Sequence, residues 1–163
     1  MTAVIQRVKR AAVIADGVPA GKCKAGLLIL LGVFMEDTET DAQLLAEKIA
    51  KLRIFEDENG KMNLSVRQVG GEAVVVSNFT LCADYRHGNR PDFFKAAPPA
   101  QAKPLYESFC ILLREKIGQV ESGVFGADMQ IDLLCAGPVT IVMDSRILQT
   151  KREKREKVER NDL

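Results

Sequence analysis

The chain contains 163 residues, a length that suits one compact domain. Hydrophobic residues make up 47% and charged residues 28%, which excludes a disordered, collagenous or fibrous protein. The net charge is +1, from 23 basic and 22 acidic residues, so no global positive field favours nucleic acid or an anionic membrane. A polyanionic partner must therefore be met by a local patch of cations.

Cysteine usage and the absence of long apolar runs indicate a cytoplasmic protein. Cys23, Cys82, Cys110 and Cys135 are far apart and form no CxxC pair. The first residues lack the apolar run of a secretory signal, and no stretch approaches the roughly 20 apolar residues of a membrane span. We therefore expect free, mostly buried thiols in a reducing compartment and no membrane partner.

The first half of the chain predicts several strands. Alternating apolar residues over 3–15 predict one or two half-exposed strands, and the Asp16-Gly17 turn leads to a returning strand from Val18. The continuous apolar run from Gly26 to Phe34 predicts the most buried strand. A second buried strand is predicted over residues 73–81.

Two helices are predicted between and after these strands. Thr38, with Asp41 three residues later, resembles a capping box that opens the first helix. The second helix is predicted over residues 104–117, because Pro104 fits best in a first turn. Between strand and helix, residues 85–99 form a long irregular segment, and such segments are usually functional or mobile.

The last third predicts two more strands and a charged tail. Apolar residues alternate over 129–133 and again over 139–143, on either side of Gly137-Pro138. Residues 151–160 contain six basic and three acidic residues with one apolar residue, which predicts a solvated or disordered tail. Clustered strands with two helices indicate an α+β fold and not an alternating βαβ fold.

Side chains of the usual catalytic types are scarce. His87 is the only histidine, so a two-histidine metal site is impossible, and we expect no metal. A nucleophilic Cys82–His87 pair is possible, but a buried thiol beside a surface histidine is the favoured interpretation. No glycine-rich phosphate loop is present, so no nucleotide cofactor is predicted.

Two segments are unusual. Ser77-Asn78-Phe79-Thr80 places small polar groups at the end of a buried strand, where they either cap the following turn or present N–H groups and hydroxyls to a substrate carbonyl. Physical reasoning alone favours the cap. Gly137-Pro138 marks a bend that displays backbone, and the bond before a proline can be cis. An ordinary tight turn is the simpler interpretation there.

With these segments in view, the chain resembles the D-aminoacyl-tRNA deacylase family, first known as D-tyrosyl-tRNA deacylases. The resemblance extends in register to about Ser145. The matching blocks include VIQRV, GLLILLGV, LRIFEDENGKMNLS, VVVSNFTL, RHGNRPDF, GVFGADM and GPVTIVMDS. We therefore predict a deacylase domain over residues 1–145 and a charged C-terminal tail over 146–163.

The resemblance implies a barrel-like α+β domain of mixed and antiparallel sheets with two main helices. It also implies a homodimer whose active sites lie at the subunit interface. The expected reaction is hydrolysis of the ester between a D-amino acid and the terminal adenosine of tRNA, with glycyl-tRNA also accepted and L-aminoacyl-tRNA rejected. No cofactor and no DNA partner are implied.

The resemblance also assigns site residues. The family's SQxxL motif corresponds to residues 77–81, with Gly137-Pro138 as the family's cis Gly-Pro motif, inserted into the partner's site and held by Arg7. Phe125 and Met129 match pocket-lining positions. The expected catalytic residues are Ser77, Asn78, Phe79 and Thr80. No base is evident beside Thr80, so we favour a positioning role for it over a nucleophilic one.

The last predictions concern tRNA contacts and two positions at which the sequence differs from the family motifs. We expect tRNA contacts from Arg86, Arg90 and Lys95. Asn78 replaces the family's usual Gln, and Cys135-Ala136 replaces a polar pair before Gly-Pro. These departures leave two alternatives open: a non-catalytic dimeric tRNA-binding module, and a deacylase with relaxed selectivity toward small L-amino acids.

Overall fold

The structure is a computed structural model that describes residues 1–150. It is an α+β fold, as the sequence predicts. The strands are β1 (Thr2–Ala15), β2 (Val18–Cys23), β3 (Gly26–Gly32), β4 (Arg53–Glu56), β5 (Met62–Ser65), β6 (Glu72–Ser77), β7 (Val120–Ser122) and β8 (Met129–Asp144). The helices are α1 (Glu39–Ala50) and α2 (Pro99–Ile117), and a 3-10 turn spans Phe79–Cys82. Residues 145–150 are also helical.

The main sheet is mixed and strongly curved. Its strand order is β2-β1-β3-β6-β7, and β8 pairs with β1. The β3–β6 and β6–β7 pairs are parallel, whereas the pairs that involve β1 are antiparallel. The first half of β1 pairs with β3 and its second half pairs with β2, while β8 follows nearly its whole length. This arrangement gives the barrel-like sheet expected from the family resemblance.

Two apolar clusters lie on opposite faces of this sheet. Leu27, Ile29 and Leu31 of β3 pack toward α1 and α2 in the larger cluster. Leu28 points to the other face and packs with Val74 inside the curve of the sheet. Because β3 is covered on both faces and paired on both edges, it is the buried strand that its continuous apolar run predicts.

The N-terminus of α1 is fixed by the predicted capping pair. The Asp41 carboxylate accepts a hydrogen bond from the Thr38 backbone N–H at 2.9 Å. The buried Ser145 hydroxyl donates to the same carboxylate at 2.6 Å. This contact ties the end of β8 to α1. None of the helices in residues 1–150 is long and apolar enough to cross a membrane.

Three predicted boundaries are wrong. Strand β6 ends at Ser77 and gives way to the 3-10 turn, so residues 79–81 are not strand. Helix α2 begins at Pro99, which takes the first-turn position that we assigned to Pro104. Residues in the first turn need no intrahelical N–H bond, so either Pro99 or Pro104 fits there. The structure places Pro99 in the first turn and Pro104 inside the helix.

The third correction concerns β8, which is one strand of 16 residues and not two. Both of its alternating segments pair with the same partner, β1. Gly137-Pro138 is therefore a bulge within a single strand and not a loop between two strands.

Candidate active site

A cavity of about 470 Å³ opens where the parallel strands β3 and β6 end. Because β3 and β6 are parallel, their carboxyl ends lie at the same edge of the sheet, and the residues that follow them meet there. Leu31 and Val33 line the cavity from the β3 side, and Ser77 and Asn78 line it from the β6 side. Its remaining wall comes from α2 and from the segments before α2 and before β8.

Five of the predicted site residues meet at this cavity, which we call the main pocket. They are Ser77, Asn78, Phe79, Phe125 and Met129. Thr80 is exposed and does not line the cavity. The structure therefore brings together the end of β6 and the segment leading into β8, which are distant in sequence.

The Asn78 side chain folds back onto the 3-10 turn. Its Oδ1 accepts a hydrogen bond from the Thr80 backbone N–H at 3.2 Å and another from the Thr80 hydroxyl. The turn-capping interpretation is therefore correct for Asn78. The Thr80 hydroxyl donates to a neutral amide and not to a base, which agrees with a positioning role.

The Phe79 backbone N–H has no hydrogen-bond acceptor among the described residues, whereas the neighbouring amides do. Asn78 N donates to the Leu31 carbonyl at 2.8 Å, and Thr80 N donates to Asn78. An amide at the mouth of a cavity with no internal partner is a donor for a bound oxygen atom.

Aromatic rings form much of the cavity wall. The Phe79 ring meets the Phe93 ring edge to face, with centroids 5.0 Å apart. Tyr106 lies in the wall formed by α2, 5.8 Å from the Phe125 ring, and its hydroxyl donates to the Val75 carbonyl at 2.9 Å. Burial raises the pKa of Tyr106 well above its usual value, so this hydroxyl remains a donor at physiological pH.

Tyr106 and Phe93 also line the main pocket but were not among the predicted site residues. Tyr106 precedes Phe109 on the apolar face of α2, a spacing that indicates core and gives no separate signal for a pocket. Phe93 lies in the irregular segment, where periodicity carries no information.

Arg7 contacts the Gly-Pro bulge from the opposite strand. Gln6 pairs with Thr140 and Val8 pairs with Cys135, so residues 136–139 face Arg7 alone. Arg7 is only 9% exposed, and its Nε donates to the Ala136 carbonyl at 3.1 Å. The Gly137–Pro138 bond is cis.

The same guanidinium fixes the β4–β5 hairpin. Its Nη1 donates to the Ile54 carbonyl at 2.7 Å, and its Nη2 lies 3.6 Å from a Glu56 carboxylate oxygen. Gly137 and Pro138 are exposed, and neither lines the main pocket of its own chain. Arg7 thus joins three segments and holds an exposed backbone feature away from the pocket.

The three predicted tRNA-contacting cations lie on one exposed segment. Arg86 Nε donates to Asp84 Oδ1 at 2.9 Å, and Lys95 Nζ lies 3.3 Å from Asp84 Oδ2. The Arg86 hydrogen bonds hold the pKa of Asp84 well below its usual value. Arg90 has no ion-pair partner within the described part of the chain.

Cys82 and His87 do not form a catalytic pair. The Cys82 thiol is buried and donates to the Val33 carbonyl at 3.4 Å. Burial raises its pKa to about 11, which keeps it protonated at neutral pH. His87 is exposed on the irregular segment. Cys23 and Cys110 are buried as predicted, whereas Cys135 is exposed.

The fold and the site define a mixed-sheet α+β protein whose pocket offers backbone donors and aromatic walls. The family described as D-Tyr-tRNA(Tyr) deacylase matches residues 4–144. A D-aminoacyl-tRNA deacylase of Anaeromyxobacter dehalogenans is 59% identical over 148 residues, covering 91% of this chain and 99% of the relative. One from Thermus aquaticus is 55% identical, covering 89% of this chain and 95% of the relative. The chain therefore belongs to the D-Tyr-tRNA(Tyr) deacylase family, as its motifs predict, and is a hydrolase.

Two solved structures share this fold. The chain superposes on the c-Myc DNA Unwinding Element Binding Protein with a TM-score of 0.83 and 41% identity, covering 88% of this chain and 98% of that one. A probable eukaryotic D-amino acid tRNA deacylase gives a TM-score of 0.76 at 16% identity, covering 88% of this chain and all of that one. The second comparison shows the fold alone.

Proposed function

We propose that this protein hydrolyses the ester bond of D-aminoacyl-tRNA, releasing free tRNA and the D-amino acid. The single observation that carries the proposal is the free Phe79 N–H at the mouth of a pocket built from the family's motif at the end of β6. Family membership supports the substrate class. A tRNA substrate also favours a cytoplasmic location.

Backbone groups supply the chemistry in this proposal. Water adds to the ester carbonyl, and the Phe79 N–H stabilises the resulting oxyanion. The ester C–O bond then breaks, and the ribose 3′-oxygen leaves with a proton. The ribose 2′-hydroxyl of the substrate positions the water, so Ser77, Asn78 and Thr80 shape the turn and need not act as nucleophile or base.

The second part of the proposal is a homodimer in which Gly137-Pro138 of each chain enters the pocket of its partner. The motif is exposed in a single chain and lies outside that chain's own main pocket. Leu134 and Val142 of the same strand are 47% and 69% exposed, which gives this edge an apolar surface suited to a second copy.

Chirality is then sensed by a steric clash. A pocket walled by backbone groups and the partner's Gly-Pro rim accepts the D side chain and directs the L side chain into main-chain atoms. Phe125 and Met129 line the main pocket, and in this proposal they limit the space for the accepted side chain. Glycine has no side chain to clash, so glycyl-tRNA is also a substrate.

Local cations contact the tRNA. Arg90 is unpaired within residues 1–150, and Arg86 and Lys95 share Asp84, so the segment keeps a small positive excess. Phosphate contacts from these side chains make affinity fall as salt rises. The charged residues 151–160 lie outside the described residues.

The test compares release of amino acid from D-Tyr-tRNA, L-Tyr-tRNA and Gly-tRNA by the purified protein. We expect release from the D and glycyl substrates and none above background from L-Tyr-tRNA. Equal rates on D-Tyr-tRNA and L-Tyr-tRNA would refute chiral selection. Salt-sensitive tRNA binding without any release would instead identify a non-catalytic binding module.

The short Asn78 side chain favours one variant of this function. Asn78 Oδ1 accepts from the Thr80 N–H at 3.2 Å, and its side chain is one methylene shorter than the family's glutamine. Release from L-Ala-tRNA that disappears in Asn78→Gln would show relaxed selectivity toward small L-amino acids. Absence of such release from the wild-type protein would show full stringency despite the substitution.

A further inference from the structure

A second, shallower concavity lies beside the main pocket. It has a volume of about 330 Å³ and is lined by Ala83, Asp84, Tyr85, Arg86 and Lys95. We call it the outer concavity. Lys95 lies two residues after Phe93, which lines the main pocket, and one residue before Ala96, which lines it as well. The two depressions therefore share one stretch of chain as a common wall.

Two exposed aromatic side chains lie in or next to the outer concavity. Tyr85 lines it and is 77% exposed. Phe94 precedes Lys95 in the shared stretch of chain, lines neither depression and is 83% exposed. These are the two most exposed large hydrophobic side chains among the described residues. In contrast, the Phe93 and Phe79 rings contact each other at the main pocket. Tyr85 and Phe94 thus have faces free for a planar partner.

The backbone that carries these rings is fixed by hydrogen bonds. Asp84 and Asp92 exchange a pair of backbone hydrogen bonds, both of 2.9 Å, which closes the intervening residues into a loop. The Phe94 N–H donates to the Asp92 carboxylate at 3.2 Å. The Met35 N–H donates to the Lys95 carbonyl at 3.0 Å, which anchors the shared wall to the segment after β3. Binding on this surface therefore orders little backbone, which favours affinity.

The cations on the same surface suit a ligand in which negatively charged groups alternate with planar rings. The Asp84 carboxylate holds the Arg86 guanidinium and the Lys95 ammonium side by side. Asp92 also acts on Arg86, so the net positive charge of this segment comes from Arg90, the third cation beside the two carboxylates. Alternating aromatic faces and cations are the arrangement by which proteins bind single-stranded nucleic acid.

We propose that the outer concavity is a subsite for the unpaired nucleotides that precede the terminal adenosine of the tRNA substrate. Tyr85 and Phe94 stack on bases, and Lys95 and Arg86 contact phosphates. This inference rests on the proposed function for the identity of the RNA and extends it from the reacting ester to the adjoining strand. The aminoacylated adenosine occupies the main pocket, and the strand leaves across the shared wall at Phe93–Lys95.

Stacking explains how this surface can serve many tRNAs. Every base has a π-face, so contacts by Tyr85 and Phe94 tolerate any sequence. A main pocket that grips only the terminal residue would hold its substrate weakly, whereas additional nucleotides on the outer concavity add affinity remote from the reacting bond. We expect that affinity to distinguish a tRNA ester from an aminoacylated nucleoside.

The test measures binding of an uncharged single-stranded RNA tetramer, ACCA, and of adenosine 5′-monophosphate to the full-length protein. We expect the tetramer to bind more tightly than the mononucleotide. Tyr85→Ser and Phe94→Ser should each reduce the ratio of these affinities by roughly 5- to 150-fold. Tyr85→Phe keeps the ring and should retain the ratio. Ile111→Ser, at an exposed apolar position on α2, is the matched control and should also retain it.

The charge contribution is read from salt dependence. Lys95→Met should reduce the slope of log affinity against log salt by about 0.7, the value for one phosphate contact to a single strand. The subsite is overturned if the tetramer binds no more tightly than the mononucleotide, or if Tyr85→Ser and Phe94→Ser match Ile111→Ser. Release of amino acid from D-Tyr-tRNA by the wild-type protein is measured separately. A protein that binds the tetramer through Tyr85 and Phe94 but releases nothing would retain this subsite and refute the proposed function.

Discussion

Arg7 donates a hydrogen bond to the carbonyl of Ala136 at 3.1 Å, immediately before the exposed Gly-Pro bulge. The four residues of the bulge have no other partner on β1, since Gln6 and Val8 pair beyond its two ends. One buried guanidinium therefore fixes the position of a backbone feature that strand pairing leaves free. A planar fork with several donors suits this task, because it reaches Ala136 and Ile54 at the same time.

Arg7→Lys should therefore weaken chiral discrimination while retaining the fold. Lysine keeps the charge but cannot reach both carbonyls in the same geometry. Hydrogen bonds from charged groups contribute about 1.5–3 kcal/mol, so we expect the D/L ratio of kcat/KM to fall by roughly 10- to 150-fold. The measurement is the rate of release from D-Tyr-tRNA and L-Tyr-tRNA, with circular dichroism to verify folding.

Arg10→Lys provides the matched control for this variant. Arg10 lies on the same strand and pairs with Asp132 of β8 at 2.9 Å, but both side chains are exposed. Exposed pairs contribute little, so this change should leave the D/L ratio as it is. A normal ratio in Arg7→Lys would show that the guanidinium does not position the motif for selection.

In the proposed homodimer, Gly137→Ala should remove the contribution of one protomer to its partner's site. Gly137 has φ of +125°, a region that favours glycine, and an added Cβ would lie 2.8 Å from the Val139 nitrogen. The bulge must therefore shift, which moves Pro138. We expect the purified variant protein to lose most of its D-Tyr-tRNA hydrolysis or its rejection of L-Tyr-tRNA.

Complementation tests whether the two subunits share the site. Ala127→Trp fills the main pocket from a loop position and leaves the Gly-Pro bulge intact. The two variants are then co-expressed. In each mixed dimer, the intact pocket of the Gly137→Ala chain faces the intact bulge of the Ala127→Trp chain, whereas the other site carries both substitutions. Random pairing should restore up to about a quarter of wild-type activity. Mixed dimers that are isolated with two different tags and remain inactive would argue against a shared site.

Asn78→Asp should slow hydrolysis with little loss of stability. The aspartate keeps the shape and the oxygen that accepts from Thr80, so the turn remains capped. It also places a negative charge close to the developing oxyanion, which opposes its formation. We expect kcat on D-Tyr-tRNA to fall at least tenfold, with a Tm within a few degrees of wild type, measured by single-turnover kinetics and calorimetry. An unchanged kcat would place the oxyanion away from the 3-10 turn.

The sequence predicts the parts of this molecule that follow from local patterns. The continuous apolar run identifies β3, and the Thr38–Asp41 pair identifies the start of α1. The family resemblance, and not the local pattern, assigns the motif at the end of β6 to the site, and Ser77, Asn78 and Phe79 line the main pocket.

Local sequence patterns do not predict the features that depend on contacts between segments distant in the chain. Whether residues 129–144 form one strand or two depends on their common partner β1, which no local pattern reveals. The role of Tyr106 depends on α2 packing beside β6, and its spacing on the helix is that of any core residue. The 3-10 turn that replaces the end of the predicted strand was not predicted, although the capping of a following turn by Asn78 was.

Acid should destabilise the protein in part through Asp41. Burial opposes ionisation of this carboxyl group, but hydrogen bonds from Ser145 and Thr38 outweigh it and hold its pKa below the usual value. A carboxyl group whose pKa is lowered by folding stabilises the folded protein at pH values above its unfolded-state pKa, which is about 3.9 for aspartate. This stabilisation is lost as the pH falls from that value through the lower, folded-state pKa. The free energy of unfolding should therefore decrease between about pH 5 and pH 2.

Asp41→Asn isolates this contribution. Asparagine keeps the size of the side chain but neither ionises nor accepts from Ser145 and Thr38 as strongly. We expect the variant to be less stable by roughly 1–3 kcal/mol at pH 7 and to lose less stability on acidification, as measured by urea unfolding at several pH values. Asp132→Asn, at an exposed ion pair, is the control and should unfold nearly as the wild type does at pH 7. A pH profile for Asp41→Asn that parallels the wild-type profile would show that other carboxyl groups cause the acid sensitivity, because only the ionisation of Asp41 is removed by this change.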